Sequence, residues 1–150
     1  MSKKMIENVF HNDQSLAVII RRSYQTPGVK FLTPDSYSQQ LGYMNRPVGY
    51  VIEPHVHNIV SREVQLTQEV LFIKSGRIRV DFYSEAQKYL ESRILDAGDV
   101  ILLAYGGHGF EMLEASEIIE VKQGPYAGEN DKTRFAPIAS DKLVIKVNDE

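Results

Sequence analysis

The chain contains no cysteine in 150 residues. Disulfides and thiolate metal sites are therefore excluded, and any bound metal must be held by nitrogen and oxygen ligands. Positive charge is not in surplus either. There are 17 Lys and Arg against 20 Asp and Glu, for a net charge of -3. That gives no electrostatic reason to expect nucleic acid or an anionic membrane as a partner. No window approaches the roughly 18 consecutive apolar residues of a membrane span. The opening stretch, MSKKMIENVFHNDQS, has two lysines but no apolar run behind them. It does not read as a secretory signal, and a cytoplasmic location is expected. Repeats, low-complexity runs, linkers and a helix-turn-helix pattern are also missing.

What is present is an ordinary globular composition, 43% apolar and 25% charged. The length suits one domain with a real core, expected over about residues 16–123. Apolar runs are short, rich in β-branched and aromatic residues, and divided by Gly, Pro, Asn and Asp. Leu16–Tyr24 reads as one strand, VKFLT as another, and VGYVI as a third. EVLFIKSGRIRVDFY is the clearest unit, two strands flanking Lys74, Ser75 and Gly76. In the second of these, Ile78, Val80 and Phe82 alternate with Arg77, Arg79 and Asp81, which predicts a buried face and a solvated one. YLESRIL, VILLAY, GFEMLE and IIEVKQG follow at regular spacing. The pattern predicts an all-β sandwich or barrel with little helix. Asp35–Met44 suits either a short helical turn or a further strand. Lys142–Val147 suits a last strand or a docking segment. Lys122–Phe135 is dense in Gly, Asn and Asp and reads as a surface loop. Its alternative role is a rim where Lys122, Tyr126, Lys132 or Arg134 meets an anionic ligand. Tyr43, Tyr50 and Phe72 read as core or pocket wall.

Two of the four histidines, His55 and His57, are separated by one residue. On a strand, residues i and i+2 point to the same face, so two imidazoles can converge on one point. Gly49 precedes His55 by five intervening residues, and Glu69 precedes Gly76 by six. Gly98 opens a strand that leads to His108. His11 reads as an exposed bystander.

This arrangement resembles the cupin superfamily, whose motifs are G-x5-H-x-H-x3-4-E-x6-G and G-x5-P-x-G-x2-H-x3-N. The resemblance runs from Gly49 to Met112. It implies a double-stranded β-helix, or jelly-roll barrel, with a divalent metal held by His55, His57, Glu69 and His108. The chain departs from the pattern in four places. Eleven residues, Asn58–Gln68, separate His57 from Glu69. Ala104 replaces proline, His108 comes one residue early after Gly106, and Met112 replaces asparagine. Glu63 is a rival carboxylate. Glu69 is preferred because it opens the best strand in the chain.

Three imidazoles and a carboxylate suit Fe, Mn, Ni, Co or Zn. An octahedral ion with four protein ligands keeps two open positions, at which a substrate, water or dioxygen can be polarised. The resemblance to small, single-domain, RmlC-like cupins implies a metal-dependent enzyme acting on a small polar molecule. The reaction would be isomerase, epimerase or dioxygenase chemistry, on a sugar or sugar nucleotide of polysaccharide biosynthesis. The alternative is a non-catalytic sensor that binds a small molecule or metal. The resemblance also implies a homodimer paired through edge strands, with Leu16–Tyr24 a suitable strand for the exchange.

Overall fold

The computed structural model describes residues 5–147. It is all-β, as the spacing of apolar runs predicts. Ten strands form in chain order: β1 (Ile6–His11), β2 (Gln14–Ile20), β3 (Gly28–Phe31), β4 (Gly42–Asn45), β5 (Glu69–Ser75), β6 (Arg77–Tyr83), β7 (Tyr89–Asp96), β8 (Val100–Leu103), β9 (Gly107–Met112) and β10 (Glu117–Lys122). The only helical pieces among the described residues are 3-10 turns at Gly128–Asp131 and Ser140–Lys142.

Pairing is antiparallel throughout the named strands. One sheet has the order β1-β2-β8-β5-β10 and a second has β7-β6-β9, while β3 and β4 form a hairpin of their own. The two larger sheets share one core. Val9, Ala17, Ile19, Leu71, Ile73 and Ile101 come from the first, and Ile78, Val80, Phe82 and Leu95 from the second. Two antiparallel sheets facing across an apolar core are compatible with a jelly roll.

The β5–β6 unit forms as the alternation predicts. Its turn depends on Gly76, which has φ +87°; a Cβ there would run into Ala115 and Ser116. Only glycine adopts that backbone without strain. On β6, Ile78, Val80 and Phe82 are buried as expected. The opposite face differs from expectation. Arg77 is exposed, but Arg79 and Asp81 are buried. Arg79 donates to Asp81 through Nε (2.8 Å) and Nη2 (3.0 Å), and Ser92 donates to the same carboxylate. Glu111 on β9 lies 2.6 Å from Arg79. The charges satisfy one another, so the face tolerates burial. Arg79 is accordingly held above the ordinary arginine range, chiefly by its hydrogen bond to Asp81.

A second buried network ties β1 to the other sheet. Arg21 donates to Glu7 (2.5 Å) and Asp99 (3.0 Å), and Arg93 bridges Glu7 and Glu91 at 2.8 Å each. Burial works against the charge on Arg21, but Glu7 and Asp99 outweigh it and raise its pKa.

Other expectations are corrected. Strand β2 is flanked on both sides, by β1 and β8, so Leu16–Tyr24 offers no free edge for exchange. Asp35–Met44 contains no helix; its end, Gly42–Met44, belongs to β4. Tyr50 and Phe72 are exposed rather than core. VGYVI forms no strand, and residues 46–68 have no regular structure before β5 begins. The segment Lys142–Val147 docks beside β7, where Ser92 N–H donates to Val144 and Lys146 N–H donates to Ser92.

Candidate metal centre

The alternation of β5 puts Glu69, Leu71 and Ile73 on one face. Leu71 and Ile73 are in the core, so Glu69 lies at its rim on the inner side. On β9, His108 sits opposite Phe82 in the ladder with β6. Phe82 is buried in the core, and His108 lies on the same side at the end of the strand. The two sheets thus converge on one polar pair. His108 Nε2 is 3.1 Å from Glu69 Oε2.

Both groups are half-sheltered. The side chain of Glu69 is 14% exposed and that of His108 26%. Lys122 on β10, the register partner of Glu69, places its Nζ 3.6 Å from Glu69 Oε1. Its other neighbour is Asp131, at 3.4 Å. Asp131 also accepts a hydrogen bond from Thr67, which holds the Gly128–Asp131 turn against the start of β5.

These contacts set the protonation of the carboxylates. The hydrogen bond to His108 draws the Glu69 pKa down, and Lys122 adds to the effect. Asp131 is lowered first by Thr67 and then by Lys122. Desolvation works against the charge on Lys122, but Asp131 and Glu69 overcome it and raise its pKa. Glu69 is therefore ionised at neutral pH, the form a metal ligand needs.

The 3.1 Å separation of His108 and Glu69 is that of an ordinary hydrogen bond, and imidazole with carboxylate is also among the donor types that divalent metals take.

The other two predicted ligands lie elsewhere. His55 and His57 remain neighbours, with ring centroids 5.2 Å apart and the planes near perpendicular. Both are exposed, on an arm that stands away from the sheets. His55 Nδ1 bonds only the carbonyl of Glu53, at 2.9 Å. Among the described residues, no three His, Asp or Glu side chains within one chain come together as a metal-holding group. Glu63, the rival carboxylate, is exposed and receives a hydrogen bond from Gln65. It borders a shallow cavity of about 300 Å³ shared with Ser36, Ser38, Gln68 and Tyr105.

Sequence reasoning named Lys122 as a rim cation but missed the anions that it meets, Glu69 and Asp131. It also missed Thr67 and Tyr37. Tyr37 stacks edge-on against Tyr105, with ring centroids 6.0 Å apart. The loop that carries Tyr37 is fixed by Gln39, which donates to Gln68 and Gln123. No periodicity announces such loop-to-loop bonds. Tyr126 and Arg134 stay exposed, Arg134 pairing with Glu129. His11 is partly exposed at the end of β1.

No protein-family model, curated protein or solved structure matches the chain. Among the described residues, no helix is long and apolar enough to cross a membrane.

Proposed function

We propose that the protein is a metal-binding cupin and a metal-dependent enzyme acting on a small polar molecule. The observation that carries this reading is the His108–Glu69 pair. It brings the last strand of one motif and the carboxylate of the other to 3.1 Å, from two different sheets. His55 and His57, which stand apart from this pair within one chain, would complete the ligand set. The bound ion is a divalent metal, Fe, Mn, Ni, Co or Zn, and when bound it supplies Lewis-acid polarisation of a substrate oxygen or activation of water.

The chain's own residues have separate tasks. Glu69 stays charged and is oriented by Lys122, which the Gly128–Asp131 turn holds in place. Tyr105 walls the neighbouring cavity, where hydroxyls and amides at Ser36, Ser38 and Gln68 offer partners for a hydroxyl-rich ligand. That polar lining favours a sugar or sugar nucleotide over an apolar compound. Incubation of the metal-loaded protein with nucleoside-diphosphate sugars, followed by proton NMR, tests the reading. Turnover that disappears in Glu69→Gln supports it. Unchanged sugars across the set, with metal bound, count against the enzyme.

One observation favours a non-catalytic alternative. Both Glu69 oxygens already have cationic or imidazole partners within the chain. A carboxylate so neutralised serves a sensor that binds its small molecule without turnover. Ligand affinity without turnover would be its signature.

A further inference from the structure

The arm that carries His55 and His57 is out of balance with its surroundings. It leaves the body at Arg46 and returns at Thr67. Both roots are fixed, through Asn45 to Thr26, Gln39 to Gln68 and Thr67 to Asp131. Between them the chain turns on itself only locally. Tyr50 N–H donates to Pro47, His55 meets Glu53, Gln65 meets Glu63, and Arg46 stacks on Tyr50. Val48, Val51, Ile52, Val56, Ile59 and Val60 all stand more than half exposed. An apolar segment of that length with no covering surface is unstable in water. Structureless loops of this size inside compact domains are uncommon.

The body has a matching gap. Among the described residues, strand β9 is hydrogen-bonded on one side only, to β6. Its register sets Phe110 opposite Val80 and Met112 opposite Ile78, residues wholly inside the core. Yet Phe110 is 37% exposed and Met112 48% exposed. These side chains share the core's side of the strand but are only partly covered. His108 lies on the same side of the same open edge.

We propose that the arm of one copy adds as a strand along the open edge of β9 in a second copy, and that His55 and His57 thereby join Glu69 and His108 of that second copy. The occupant is a second copy of this chain because the arm's own apolar side chains need cover and β9 supplies it. About ten residues out and ten back, at roughly 3.3 Å each, give a reach near 30 Å. That is enough to cross an interface. A two-fold axis lets each copy give and receive the same arm, which closes the assembly as a dimer. The site would then be incomplete in a single chain, in line with the separation of the two histidine groups. The placement of the ligands rests on the metal-binding reading above, whereas the exchange of the arm does not.

The experiment uses the absence of native cysteine. In His57→Cys/His108→Cys, the introduced thiols are the only ones. On mild oxidation of the metal-free protein we expect a covalent dimer on a non-reducing gel. Co-expression with excess wild type should abolish the cross-link, because each variant arm then meets a wild-type body. An intramolecular disulfide, unaffected by wild type, overturns the proposal, and so does the absence of any cross-link. Both positions are partly or fully exposed, so the variant is expected to fold. A second route guards against its failure. His55→Ala/His57→Ala is mixed with Glu69→Gln/His108→Ala, and the heterodimer should recover one metal site of two. No recovery, with wild type loaded, overturns the exchange. A covalent dimer of the cysteine variant, together with a wild-type protein that takes up no metal, overturns the metal reading alone.

Discussion

Glu69 and His108 stand 3.1 Å apart although 39 positions separate them in the chain and they belong to different sheets. The contact is possible because β5 and β9 each turn one residue towards the end of the shared core. It defines the point on which the other functional side chains are expected to converge.

The histidine arm should be dispensable for folding of the body. His55 and His57 are exposed, so in metal-free protein His55→Ala/His57→Ala should change stability by no more than about 0.5 kcal/mol. Metal uptake should be abolished. Denaturant titration of the metal-free protein and metal analysis after loading read the two quantities, and a variant with full metal content contradicts the assignment.

Arg79 should matter for stability far more than an arginine on an alternating strand normally does. Arg79→Leu leaves the buried carboxylate of Asp81 with only Ser92 as partner, and a loss of about 3–5 kcal/mol is expected. Arg79→Leu/Asp81→Leu should recover much of it, because no buried charge remains. Urea unfolding of the two variants makes the comparison. Equal losses in both would show that the pair contributes packing rather than charge compensation.

Gly76→Ala should destabilise the β5–β6 hairpin by more than about 1 kcal/mol, since φ +87° is hostile to an L side chain and the space is filled by Ala115 and Ser116. Gly124→Ala, with nothing within 4 Å of the added carbon, is the control and should be close to neutral. Thermal unfolding separates the two.

The Gly128–Asp131 turn should release from β5 in acid. Asp131 has a pKa lowered below its ordinary value of 3.8. A lowered carboxylate contributes its full docking energy above the unfolded value and loses it as pH falls through the folded one. Docking should therefore be constant above about pH 5 and fail progressively below 3.8. Amide chemical shifts of residues 128–131 report it. In Thr67→Val the acid-induced change should shrink, because the main cause of the lowering is gone and the folded value returns towards the unfolded one. An undiminished change would assign the lowering to Lys122.

Much of the fold was legible because strand alternation is a local property. Ile78, Val80 and Phe82 had to be buried together, and the turn at Gly76 had to join two strands. Glu69 and His108 were singled out by the resemblance to the cupin motifs, and alternation along β5 and β9 then accounts for the face each occupies. What sequence could not reveal was which outer faces are covered. Arg79 and Asp81 look like a solvated pair, but they bond each other and meet Glu111 and Ser92 from the neighbouring strands, and both are buried. The Val48–Ile52 run has the composition of a strand, but composition states that a segment can pair and not with which edge. Leu16–Tyr24 shows the converse. It looks available for exchange, yet β1 occupies its free side.

Elemental analysis of the untagged protein, purified without chelator, tests the metal centre most directly, with Glu69→Gln/His108→Ala prepared in parallel. About one equivalent of a divalent transition metal in the wild type, and its loss from the variant, is the predicted result. A wild-type protein that carries no metal and takes up none on titration with Fe, Mn, Ni, Co or Zn would contradict it, and would leave Glu69 and His108 as a plain hydrogen-bonded pair at the rim of an all-β core.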